Sequence, residues 1–149
     1  MALIGAGAER RNPALDLLAP LLGGWSTSGT HPLLTDVELR GRASFEPLHG
    51  GAFVLMRTEV DHPEIPDGAG VFGSDGDGRC FLLYFDARPV SRRYEVAATD
   101  DGLLWWRDDP AFSQRNRIDV RPDGLRTVGE MSRDGGPWEP DLQLAYRRA

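Results

Sequence analysis

Between Cys80 and Val96 the chain reads Cys-Phe-Leu-Leu-Tyr-Phe-Asp-Ala-Arg-Pro-Val-Ser-Arg-Arg-Tyr-Glu-Val, two apolar runs around an Asp-Ala-Arg-Pro corner. Asp86, Arg88, Arg92, Arg93 and Glu95 stand there among residues that belong in a core. In an extended strand Tyr84 and Asp86 share one face with Cys80 and Leu82. A hydroxyl and a carboxylate entering an apolar space can hold the polar end of a ligand. If burial raises the carboxyl pKa, the same groups can transfer a proton.

A second carboxyl of this kind is Glu59. It lies on the run Ala52 to Val60, where Phe53, Leu55, Arg57 and Glu59 form one face and Ala52, Val54, Met56, Thr58 and Val60 the other. The run Ser113 to Val120 likewise opposes Gln114, Asn116, Ile118 and Val120 to Arg115, Arg117 and Asp119. An isolated guanidinium inside a fold costs several kcal/mol or more. An internal arginine therefore calls for an anionic ligand or a carboxylate, for which Glu59, Asp86, Glu130 and Asp141 are available. Alternation leaves open which face of each strand points inward. The expected ligand contacts are Arg57, Tyr84, Asp86, Trp106 and Arg115, and the candidate catalytic groups are Asp86, Glu59 and Tyr84.

Other chemistry finds less support. Cys80 and the serines have no adjacent base, and Cys80 reads as core filler. Asp75 and Asp77 are spaced as in the start of a calcium loop, but Arg79 and Cys80 follow where an oxygen ligand and glycine are needed. The three histidines, His31, His49 and His62, have no partner at metal-ligand spacing, so no metal site is expected. His31 ends a strand and can face the mouth of a barrel.

The elements that position these groups follow from periodicity. Asn12-Pro13 starts a short helix with Leu15, Leu18 and Leu22 on one face, and Gly23-Gly24 ends it. From there the apolar period falls to about two. Strands are expected at Trp25 to His31, Val37 to Glu46, Ala52 to Val60, Gly70 to Ser74, Arg79 to Asp86, Arg92 to Thr99, Leu103 to Arg107, Ser113 to Val120, Leu125 to Ser132 and Asp141 to Arg147. Asp-Gly pairs punctuate the series and suit positive-φ turns. Ten short strands in a meander escape exposed edges by closing on themselves. The expected fold is all-β, an up-and-down antiparallel barrel with the helix capping one end. A two-sheet sandwich is the alternative.

Leu22-Gly23-Gly24-Trp25, Gly50-Gly51-Ala52-Phe53-Val54, Tyr84-Phe85-Asp86, Ser91-Arg92-Arg93-Tyr94 and Trp138-Glu139-Pro140-Asp141 with Tyr146-Arg147 occur in that order. Together they resemble a bacterial family of calycin-like (lipocalin-like) barrels, most of it known only as a domain of unknown function. That family neighbours the nitrobindin and fatty-acid-binding-protein barrels. The resemblance implies an interior cavity for a small apolar or amphipathic molecule. Nitrobindin-like relatives hold haem through a histidine near the last strands. Here the final strand, Asp141 to Arg147, has none, so haem and other cofactors are not expected.

Bulk properties bound the rest. A chain of 149 residues fits one domain, here residues 12–149, preceded by a loose tail at 1–11. Every basic residue is arginine, which a GC-rich genome explains. A net charge of −6 argues against nucleic acid. No apolar run approaches the ~20 residues of a membrane span, and nothing resembles a signal peptide. A single cysteine fits a reducing compartment, so a cytoplasmic location is expected. The expected partners are a small apolar or amphipathic molecule and, as an alternative to a monomer, a second copy in a homodimer. Three functions are open: a ligand-binding barrel, a proton-transfer enzyme of isomerase or cyclase type acting on a specialised metabolite, and a structural module.

Overall fold

The computed structural model describes residues 10–149. Of the loose tail expected at 1–11, residues 1–9 lie outside the described residues. Arg11, its last residue, reaches the Asp16 carboxylate at 2.8 Å.

Asn12 opens the helix as its sequence predicts. Its Oδ1 accepts the Ala14 N–H at 3.0 Å, and its Nδ2 donates to Ser74 Oγ at 2.8 Å. The helix, Pro13–Leu21, is a 3₁₀ helix, and its buried stripe is Leu15, Leu18 and Leu21. The expected stripe ended at Leu22. Three residues per turn explain the difference, because positions i, i+3 and i+6 then eclipse one another.

Ten strands follow: β1 (Gly23–Thr30), β2 (Leu39–Leu48), β3 (Phe53–Val60), β4 (Gly68–Ser74), β5 (Cys80–Asp86), β6 (Val90–Ala98), β7 (Gly102–Arg107), β8 (Phe112–Arg121), β9 (Gly124–Arg133) and β10 (Glu139–Arg148). Each pairs antiparallel with its neighbours in sequence, and β1 pairs with β10, so the sheet is a closed barrel. The sandwich alternative is thereby excluded. At the β9–β10 turn Asp134 and Gly135 both take positive φ, 50° and 70°. Two successive left-handed residues match the twist of the flanking strands.

At the closing seam Gly29 lies opposite Leu144. A Cβ added at Gly29 would meet the Gln143 carbonyl oxygen at 1.8 Å. Only glycine lets the two backbones come this close.

The helix sits at the end where β1, β3, β5, β7 and β9 begin. Its leucines join a core of Trp25, Phe45, Val54, Phe72, Leu82, Leu103, Ile118 and Tyr146. The Trp25 indole N–H donates to the Leu21 carbonyl at 2.8 Å, which ties the helix to β1. This end of the barrel is filled. The other end, where β2, β4, β6, β8 and β10 begin, carries the candidate site.

Candidate functional site

Burial fixes the sidedness that alternation left open. Leu103 and Ile118 are each 1% exposed and pair across β7 and β8, so odd residues of β7 and even residues of β8 point inward. Val54 and Met56 fix β3 in the same way. Residues sharing these inward faces line a cavity of about 670 Å³.

The wall changes character along the barrel axis. Towards the helix it is uncharged, formed by Met56, Leu82, Trp105, Leu142, Leu144 and Tyr146 together with Asn116 and Thr127. Towards the far rim it carries His31, Glu64, Arg88, Arg92, Arg133 and Asp141, beside the apolar loop residues Leu33, Leu34, Ile65 and Pro66. Every charged group on the wall belongs to strand ends or loops of that rim.

A chain of hydrogen bonds crosses the wall near the mouth. Asn116 and Gln114 of β8 point inward, and Gln114 Oε1 accepts from the Tyr94 hydroxyl at 2.6 Å and from Arg92 at 3.1 Å. Gln114 Nε2 donates to Asp141 Oδ2 at 3.2 Å. The other Asp141 oxygen lies 3.1 Å from His31 Nε2. His31 Nδ1 accepts the Leu33 N–H, so it carries no hydrogen and Nε2 is the donor to Asp141. Burial pushes the Tyr94 pKa up. The network thus uses Tyr94 as a donor and Asp141 as an acceptor.

The β5–β6 corner is a second polar unit. The Asp86 side chain is fully covered. It accepts from the Tyr84 hydroxyl at 3.0 Å and from Arg88 Nε and Nη2 at 3.1 and 2.7 Å. These bonds, the Arg88 guanidinium first, hold its pKa down at about 2. Burial, with the bond to Asp86, pushes the Tyr84 phenol well above its ordinary range. Tyr84 and Arg88 line the cavity, and both are hydrogen-bonded to Asp86, which does not line it.

The expected site residues therefore separate. Tyr84 lies on the cavity wall and Asp86 supports it. Arg57, Glu59, Trp106 and Arg115 lie on the outer face, contrary to expectation. Arg57 and Glu59 alternate with the buried Met56, and Glu59 pairs with Arg42 at 2.7 Å. Arg115 pairs with Glu130 at 3.1 Å and stacks on Trp138. Trp106 is outward because its neighbour Trp105 takes the inward place, 5.8 Å from Phe72 between ring centroids. Arg92, Tyr94, Gln114 and Trp105 were missed as wall residues. Ile118 held the signal, since an isoleucine assigned to the core puts Gln114 and Asn116 inside.

No cluster of three or more potential metal-ligating side chains occurs among the described residues. Histidine ligation of haem finds no free donor on the wall. His31 is the histidine present there, and both its ring nitrogens are engaged, by Leu33 and by Asp141. Cys80 is buried and its thiol pKa is pushed up to about 11 by that burial, which leaves it a poor nucleophile and metal ligand.

Fold and site together define a closed ten-stranded antiparallel β-barrel with a cavity open at one end. No family model matches the sequence, and no curated protein matches it. Among solved structures the chain is similar to the crystal structure of Rv2717c from M. tuberculosis. The TM-score is 0.65 at 19% sequence identity, over 94% of this chain and 99% of that chain. At that identity the likeness shows the fold alone. No helix among the described residues is long and apolar enough to cross a membrane.

Proposed function

We propose that this is a calycin-like barrel, working in the cytoplasm, that holds a small apolar or amphipathic molecule in its lumen. The observation that carries the reading is the cavity of about 670 Å³, uncharged and largely apolar at the helix end, with its charged side chains gathered at the mouth. Ligand sites of small molecules commonly fall between about 300 and 1,000 Å³ and combine apolar walls with a few placed polar groups. A barrel built only for support would fill this volume, because an unfilled apolar core forfeits packing energy.

Binding fits the carboxylates better than proton transfer does. A general acid needs a carboxyl kept protonated near neutrality, and Asp86 is held at about 2. The ligand we propose is not haem, for want of a free imidazole on the wall.

Two measurements test the reading. Native mass spectrometry of protein purified from its own host should show a mass excess that disappears on denaturation. A neutral apolar fluorophore should enter the emptied protein with saturable, one-to-one enhancement. Absence of both effects would overturn it.

A further inference from the structure

We infer that the ligand is an amphiphile with an anionic head, and that Arg92 and Arg133 receive that head at the mouth of the barrel. The inference rests on the lumen-binding reading above and deepens it. Arg88, Arg92 and Arg133 all face the cavity, but they are not equivalent. Arg88 is neutralised by the covered Asp86. Arg92 and Arg133 have no carboxylate within 4 Å among the described residues.

The two arginines belong to one patch. Arg133 of β9 lies directly opposite Phe112 of β8, so their side chains share the inner face. The Arg92 guanidinium sits 5.1 Å from the centroid of the same Phe112 ring. Both cations therefore border one aromatic side chain on the wall. Arg92 gives one N–H to Gln114, and Arg133 makes a 3.9 Å contact with the Met131 sulfur. A guanidinium has five N–H donors, so most of theirs are left for another acceptor. Arg92 is held in place by the ring and by Gln114, which lowers the entropy lost when a ligand binds.

The carboxylates on the same wall do not cancel this pair. Asp141 is already bonded to His31 and Gln114. Glu64 is exposed on the β3–β4 loop, away from the β6–β9 wall that carries both arginines. The protein as a whole is acidic, with a net charge of −6, so the cationic patch runs against the general composition. Its neighbours deeper in the lumen are Trp105, Leu142 and Leu144, a bed for an apolar tail. Carboxylate and phosphate heads both suit arginine, which binds each in a bidentate manner.

The test compares ligands that share a tail and differ in the head. Dodecanoate, dodecyl phosphate and dodecanol are titrated into the 149-residue chain, the anions below their micellar concentrations and the alcohol below its solubility limit, by displacement of the neutral fluorophore. At least one anion should bind about tenfold or more tighter than the alcohol, as charge-assisted hydrogen bonds predict. Whichever anion is tighter identifies the head. The double variant Arg92→Gln with Arg133→Gln should bring that anion to the level of the alcohol, while Arg57→Gln, on the outer wall, leaves the preference unchanged. Arg133→Gln alone, at an exposed position, should reduce the preference even if the Arg92 change harms folding. Equal binding of all three ligands, or a preference that survives the double variant, overturns the inference and leaves lumen binding intact. If neither the fluorophore nor any of the three binds, lumen binding and the anionic head fall together.

Discussion

Asp86 is the side chain whose surroundings say most about its role. It is covered, accepts from Tyr84 and Arg88, and is held at about 2, below the roughly 3.9 of an unfolded aspartate. A carboxylate depressed in this way stabilises the fold above pH ~4 and loses that contribution as pH falls through ~2. Asp86→Asn should therefore lower the melting temperature at pH 7, and the gap to the wild type should narrow between about pH 4 and pH 2. Because Arg88 is half exposed, the effect at neutral pH should be on the order of 1 kcal/mol. Thermal melts of both proteins across that range check it; a gap constant with pH would show that the carboxylate charge is not what matters. The sequence placed Tyr84 and Asp86 on one strand face, which was legible from alternation alone. The Asp-Ala-Arg-Pro corner also allows Asp86 and Arg88 to pin the strand end at the rim, and the pair they form agrees with that; alternation could not decide between this and an Asp86 free to meet a ligand.

Elements were easier to see than side-chain directions. The observed strands depart from the expected bounds by two residues or fewer, since apolar period and turn chemistry both mark them. Alternation left sidedness open, and the candidate lumen groups fell on the wrong face of several strands. On β3 the charged Arg57 and Glu59 were weighed as lumen groups, yet Met56 and Val54 occupy the inside. On β7 the choice between Trp105 and Trp106 turned on Leu103, whose burial sets the parity. The helix start was legible because Asn12-Pro13 has a local cause, and its buried stripe was not, because α and 3₁₀ periods diverge by the third turn. Asn12 also bridges to β4 through Ser74. Asn12→Ala removes the cap and this bridge, and should cost about 1–2 kcal/mol in urea denaturation with an unchanged m-value. A loss of less than a few tenths would mean that leucine packing alone holds the helix.

At the scale of the molecule, closure is the property on which the cavity depends. An open sheet would expose the edges of β1 and β10 and leave the lumen without a wall on that side. The seam tolerates no bulk at Gly29, where an added Cβ would collide with the backbone of β10. Gly29→Ala should destabilise the protein by about 3 kcal/mol or more, whereas Gly76→Ala, with no atom within 4 Å of its added Cβ, should change stability by less than about 0.5 kcal/mol. Guanidinium denaturation of the two variants gives the comparison, and equal losses would show that the seam can relax. Barrel closure itself was readable from the count of strands and their short turns. The size of the lumen was not, because it depends on which face of every strand turns inward.

The same seam orders events during synthesis. β1 leaves the ribosome before the other nine strands, and its partner at the seam, β10, is the last of the ten to emerge. Until β10 is free, nine strands can pair only as an open sheet, with the edge of β1 and the apolar lumen wall exposed to other chains. Contacts between residues as distant as Trp25 and Arg148 close slowly, because the intervening chain must be ordered first. The nascent chain therefore passes through a stage in which the apolar inner face is open to its surroundings, and a chaperone that covers that face would act on the protein before it is a barrel.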